Sequence, residues 1–168
     1  MANSSEIMEH LSQQKVQAPV PMTWSFLAPN TKGLQNAAAI LKQNPGTFSS
    51  QLDPNDKPAV EVAVFAAERF MAVIQDSKAL GLRVRAYVSV VLGCPFEGFD
   101  VDPHKVAEIA TDLLESGADE ISLGDTTGMG TAPRTSALLK CMSAAGIRSE
   151  DIAMHFHDTY GQALVNTA

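Results

Sequence analysis

Several things are scarce in this sequence, and each scarcity closes off a class of protein. Only two cysteines, Cys94 and Cys141, occur in 168 residues. One pair cannot make a disulfide framework, so a reducing compartment is the default expectation. Basic side chains are outnumbered: 12 Lys and Arg against 19 Asp and Glu leave a formal net charge of −7. No nucleic-acid partner is expected, because neutralising phosphates takes a surplus of Lys and Arg. No apolar run approaches the roughly 18 residues that cross a bilayer, so no membrane partner is expected either. Met1 to Val20 carry Glu6 and Glu9 and no apolar stretch, unlike a secretory signal. No arginine precedes Arg69, unlike a mitochondrial presequence. Aromatic residues make up only 6 %, but apolar residues reach 45 %, enough for one ordinary core and too many for wholesale disorder.

What is present is an alternation of two periodicities. Residues 1–22, rich in Gln, Ser and Asn, are expected to be a polar tail, and 23–168 a single domain. Trp24 to Ala28 reads as a buried strand. Gly33 to Lys42 reads as a helix, with Leu34, Ala37, Ala38 and Leu41 at spacings of three and four. A polar loop over 44–58 follows, then a strand over Val60 to Ala67 and a helix from Glu68 to Leu80 that Gly81 closes. Leu82 to Leu92 is the third strand. Asp102 caps the next helix, with Pro103 in its first turn and an apolar stripe at Val106, Ile109, Ala110, Leu113 and Leu114. Glu120 to Leu123, a helix from about Pro133 to Ala145, a strand over Ile152 to His157 and a last short helical stretch complete the chain. Strand–helix alternation implies a parallel sheet. An open doubly wound sheet and a piece of a (β/α)₈ barrel both fit, and both bind ligands beyond the carboxyl ends of their strands. The first strand is not followed by a Gly-x-Gly-x-x-Gly fingerprint, which weighs against a dinucleotide site.

The residues able to do chemistry fall at those strand ends. His155 and His157 are two apart, so one face of the strand carries both imidazoles. Asp125 ends the preceding strand and is expected at the same mouth. Two histidines and a carboxylate favour a divalent metal with open positions for substrate. The competing reading makes each histidine a hydrogen-bonded core residue and Asp125 a helix cap. Asp158 is better read as a cap for the helix near Tyr160. Tyr87 and Ser89 share one face of the third strand and are candidates to line the substrate site. Arg83 and Arg85 share that face, and at least one is expected to pack or pair with an acid. Cys94 lies in a turn, and Cys141, on a helix, reads as core.

Taken together these segments resemble the hydroxymethylglutaryl-CoA lyase family. The matching runs are Leu27-Ala28-Pro29-Asn30-Thr31-Lys32-Gly33, Tyr87-Val88-Ser89, Leu92-Gly93-Cys94-Pro95-Phe96-Glu97-Gly98, Ile121-Ser122-Leu123-Gly124-Asp125-Thr126 and His155-Phe156-His157-Asp158-Thr159-Tyr160-Gly161-Gln162. The metal motif alone is shared with isopropylmalate synthases and pyruvate carboxylase domains. The synthases usually have Asn-Asp after the second histidine, where this chain has Asp158-Thr159.

The resemblance implies a TIM (β/α)₈ barrel, here a partial one of about five parallel strands with intervening helices. It implies cleavage of 3-hydroxy-3-methylglutaryl-CoA to acetyl-CoA and acetoacetate, as in leucine degradation and ketone-body formation, with a divalent metal cation, Mg or Mn. His155, His157 and Asp125 fall on metal positions, with His155 and Asp125 also catalytic and His155 the proton acceptor. The implied location is mitochondrial, with the cytoplasm as alternative. By strand count the chain carries barrel strands three to seven. The family's arginine and aspartate on strand one, its glutamate on strand two, and its later cysteine and asparagine have no counterpart here. A catalytically inactive chain that binds metal or a partner is therefore the alternative, and open sheet edges are expected to favour self-association.

Overall fold

The structure, a computed structural model, describes residues 4–13, 23–43, 60–65 and 70–168. Five strands lie in one sheet in chain order: β1 (Trp24–Leu27), β2 (Val60–Phe65), β3 (Arg83–Val88), β4 (Glu120–Asp125) and β5 (Ile152–Phe156). Among the described residues β1 and β5 are the sheet edges, and the pairs β1–β2, β3–β4 and β4–β5 are parallel. The helices are α1 (Ser4–Gln13), α2 (Thr31–Gln43), α3 (Phe70–Ala79), α4 (Pro103–Glu115), α5 (Ala132–Ala144) and α6 (Ala163–Thr167). No helix among the described residues is long and apolar enough to cross a membrane. The chain divides into two compact units, Met1–Val64 with Glu68–Val84, and Phe65–Ala67 with Arg85–Ala168.

In the first unit Leu34, Ala37 and Ile40 of α2, Val62 and Val64 of β2, and Val73 and Ile74 of α3 are buried. The spacing of three and four marks Leu34, Ala37, Val73 and Ile74, and the β-branched run marks Val62 and Val64; Ile40 is buried in place of the expected Ala38 and Leu41, which are half-buried. The same unit buries charge. Glu61 on β2 and Arg83 at the start of β3 are 5 % and 8 % exposed and form an ion pair, and the Ser25 hydroxyl donates to Glu61 Oε1 at 3.2 Å. The stretch expected to be a polar tail contains α1, which packs on α2. Ile7, Met8 and Leu11 give α1 one apolar side at helical spacing, a short signal inside a polar composition. The expected loop over 44–58 lies outside the described residues, as do Ala66 to Arg69, which were divided between the second strand and the third helix.

The second unit is built on β4, whose Ile121 and Leu123 are fully buried beside Ala86 of β3. Helices α4 and α5 pack together, with Val106, Ala107, Ala110, Leu113, Leu138 and Met142 buried. The start of α4 follows its sequence signals: Asp102 accepts the His104 N–H at 2.9 Å and Pro103 is the first helical residue. Gly117, beyond the last turn, has a φ of 107° that favours glycine. Asp102→Ala removes the cap and is expected to lower unfolding stability by about 1 kcal/mol. A urea midpoint that does not move would show that the cap contributes nothing.

The carboxyl ends of β3 and β4 differ from expectation, and β5 stops at Phe156, one residue short of the expected His157. The third strand stops at Val88 instead of Leu92, because Val90 takes a φ of 57° and the Val91 N–H turns to the Gly124 carbonyl at 3.1 Å. The fourth strand runs two residues further, through Gly124 and Asp125, because both pair with β5.

Candidate functional site

The carboxyl ends of β3, β4 and β5 all belong to the second unit, and their register decides which side chains share a face. Tyr87 is level with Ser122, Ser122 with Ala153, and Gly124 with His155. Residues level across a sheet point to the same side. One face therefore carries Arg85, Tyr87, Glu120, Ser122 and His155. The other carries the apolar Ala86, Val88, Ile121, Leu123, Ile152 and Met154, together with Asp125 and Phe156.

His155 and His157 come together, although β5 ends at Phe156 and His157 lies just past the strand expected to hold both. Their ring centroids are 5.1 Å apart, the planes are tilted by 42°, and both residues are exposed. Gly124, level with His155, adds no side chain beside it. A Cβ at Gly128 would lie 2.9 Å from the His157 carbonyl oxygen, so the loop after β4 passes close to the pair.

Asp125 is not brought to the histidines. It lies level with Phe156, on the opposite face, and is fully buried. Both of its carboxylate oxygens accept the Gly130 N–H, each at 3.1 Å. Gly130 has to be glycine, since a Cβ there would lie 2.7 Å from Asp125 Oδ2. The Gly130 carbonyl in turn accepts from Asn166 Nδ2 of α6 at 2.9 Å. Among the described residues no group of three or more His, Cys, Asp and Glu gathers as a metal would need. The donor chemistry thus fits a divalent cation in part: two adjacent imidazoles, with further positions left to other ligands.

Tyr87 sits on the same face as His155, under Arg85, whose guanidinium carbon lies 5.5 Å from the ring centroid. Arg85 pairs with Glu120 at 2.7 Å and reaches the Ser122 hydroxyl at 3.5 Å, while its buried Nε has no partner among the described residues. Both Arg83 and Arg85 prove to be ion-paired, where at least one was expected to be. Ser89 is exposed and lies just past the end of β3, so no register assigns it to the Tyr87 face. The turn after it is held by Thr126, whose Oγ1 accepts the Val90 N–H at 2.9 Å. Asp158 is not the N-cap, because α6 begins only at Ala163 and Gln162 holds that position, but its Oδ1 accepts the Ala163 N–H at 2.9 Å. Cys94 closes a small turn through paired backbone bonds with Gly98. Cys141 is not core; it is half-buried, with its sulfur 4.0 Å from His104 Nε2. Glu120, Ser122, Thr126, Gly130 and Asn166 were not singled out from the sequence. Strand alternation alone could have flagged Glu120 and Ser122, whereas the contacts of the other three cross 36 residues of chain each or depend on such a crossing.

A parallel sheet of strands in chain order, alternating with helices and carrying its polar groups at the carboxyl ends of the strands, is a partial (β/α)₈ barrel. Residues 57–168 match the HMGL-like family model. The chain belongs to that family. It is 38 % identical over 167 residues to the 3-hydroxy-3-isohexenylglutaryl-CoA/hydroxy-methylglutaryl-CoA lyase of Pseudomonas aeruginosa, covering 99 % of this chain and 53 % of the relative. Two lyases of Rattus norvegicus are also similar. The one named mitochondrial is 38 % identical and the one named cytoplasmic 37 %, each over 99 % of this chain and over 50 % and 47 % of their own lengths. The crystal structure of hydroxymethylglutaryl-CoA lyase from Pseudomonas aeruginosa superposes with a TM-score of 0.78 at 38 % identity, over 99 % of this chain and 54 % of that one. The chain thus spans about half the length of the curated relatives it matches.

Proposed function

We propose that this chain carries part of the site of a carbon–carbon lyase that cleaves 3-hydroxy-3-methylglutaryl-CoA to acetyl-CoA and acetoacetate. The observation that carries the reading is the His155–His157 pair at the end of β5, with His155 on the same face as Tyr87, Ser122 and the paired Arg85. The imidazoles would hold a divalent cation, Mg or Mn. When bound, such a cation supplies Lewis acidity at the substrate's hydroxyl and carbonyl oxygens. Asp125 would join the pair as a ligand only by leaving the Gly130 N–H.

The remaining chemistry is assigned to side chains. An imidazole nitrogen of His155 takes the proton of the tertiary hydroxyl. The carbon–carbon bond then breaks, its electron pair passing to the thioester fragment as an enolate while the hydroxyl carbon becomes the ketone of acetoacetate. The enolate takes up a proton and leaves as acetyl-CoA. Tyr87, Ser122 and Arg85 line the face on which the substrate would lie, and Glu120 offsets the guanidinium charge. Ser89 lies at the rim.

The test is acetoacetate release by the purified chain with Mg or Mn. Titrating Mn into the chain separately reports the cation: His157→Ala is expected to weaken binding about tenfold or more. Unchanged binding would remove the pair from the metal site. A second reading is a catalytically inactive chain that binds metal or a partner, itself included. It is favoured by the edge strands β1 and β5, each with one unpaired side among the described residues. Metal binding without turnover, or a sedimentation mass above that of one chain, would select it.

A further inference from the structure

Asn166 is buried, at 7 % exposure, on a helix whose neighbouring residues Leu164 and Val165 are exposed. Its Nδ2 donates to the Gly130 carbonyl at 2.9 Å, and its Oδ1, equally buried, has no partner among the described residues. A buried amide with half of its capacity unused is unfavourable as filler, since an apolar residue of similar shape leaves no orphan acceptor. The bond it does make therefore needs a reason, and its position supplies one. Gly130 is gripped on both sides: its N–H holds both oxygens of Asp125, and its carbonyl is held by Asn166.

The other end of α6 is tied as firmly. Asp158, next to His157, accepts the N–H of Ala163, the first residue of the helix. The Asn166 N–H bonds back to Gln162 at 2.9 Å, so the side chain stands on a fixed backbone. A continuous hydrogen-bonded path results. It runs from the end of β5, through Asp158 and the single helical turn, to Asn166, Gly130 and the carboxylate at the end of β4. Asp125 and His155 lie on opposite faces of the sheet, and this path links the two strand ends.

We infer that Asn166 is a positioning residue that fixes the Gly130 loop and, through it, sets the Asp125 carboxylate relative to the His155–His157 pair. Its effect on catalysis rests on the lyase reading above; its effect on Gly130 and Asp125 does not. The loop takes its place because Asn166 presents a donor, so a side chain of the same shape without that donor should release it.

The experiment compares the full chain with Asn166→Leu and Asn166→Asp. Leu fills the space without polarity, and Asp keeps the outline but turns an acceptor toward the Gly130 carbonyl. Hydrogen exchange at the Gly130 amide and the carbon-13 shift of the Asp125 carboxyl at fixed pH report the loop directly. Both variants are expected to speed Gly130 exchange about tenfold or more and to move the Asp125 signal, while exchange in the core of α4 stays unchanged. If the chain turns over, kcat is expected to fall about tenfold or more with little change in KM. An unchanged Gly130 amide and Asp125 signal in Asn166→Asp would overturn the inference. So would equal loosening of α4, which would make Asn166 a general packing residue. Absence of turnover in the unsubstituted chain would count against the lyase reading alone, and the two resonance measurements would still decide the role of Asn166.

Discussion

Replacing His155 with alanine is expected to remove acetoacetate release from any active preparation of this chain, by about 10²-fold or more. His155 is exposed at the end of β5, and its imidazole is the group proposed to take the hydroxyl proton. It also stands beside its partner ring, at 5.1 Å, so its loss removes half of the pair proposed to hold the cation. His155→Gln separates these roles, since it retains polarity but cannot serve as a base. A Gln variant that binds Mn as weakly as Ala and is equally inactive places the main effect on the metal. A Gln variant that binds Mn better than Ala and is still inactive places it on the proton. Full activity in His155→Ala would end the proposal. The fold should tolerate the change, because the residue is exposed at the end of an edge strand.

The largest effect on stability is expected at Glu61 and Arg83. Both are buried, and the Ser25 hydroxyl adds a third polar group to them. Burying two charges is expensive, and their attraction roughly offsets that penalty while both are present. Removing one takes from the other its buried counter-charge. Arg83→Met, which leaves the Glu61 carboxylate without its counter-charge, should therefore lower stability by about 3–5 kcal/mol. Glu61→Leu should be similarly damaging. The double variant should recover most of the loss, because an apolar pair carries no stranded charge. A double-variant cycle by urea unfolding measures this. If the two single losses simply add, the pair is not coupled and the argument fails.

Much of the architecture was legible because it rests on local signals. The Asp102-Pro103 start of α4, the apolar stripe of which Val106, Ala110 and Leu113 are buried while Ile109 is exposed, and the alternation of strand and helix all depend on neighbours within a few residues. The nearness of His155 and His157 was legible for the same reason, since they are two residues apart, although β5 ends at Phe156 and His157 lies just past it. Asp125 was not, because its face depends on how β4 is paired with β5. With Gly124 level with His155, Asp125 falls level with Phe156. A slip of one residue would reverse that, and nothing within β4 alone sets the register. The Gly130–Asn166 bond crosses 36 residues and was invisible on similar grounds. Helix α1 was missed because its apolar positions are few, and Cys141 was misplaced because a half-buried helix position has the same composition as a buried one.

The turn after β3 bears on the order in which the molecule assembles. Valine is poorly suited to a φ of 57°, and nothing in Ser89-Val90-Val91 asks for a bend; alone, the segment prefers to run on as strand. The bend is imposed by Thr126 and Gly124, which take the N–H groups of Val90 and Val91. Both belong to β4 and the loop that follows it, so the tip of β3 can acquire its final path only after β4 has docked. Early in folding β3 should be longer than in the finished protein, and the mouth of the candidate site should be among the last parts to set.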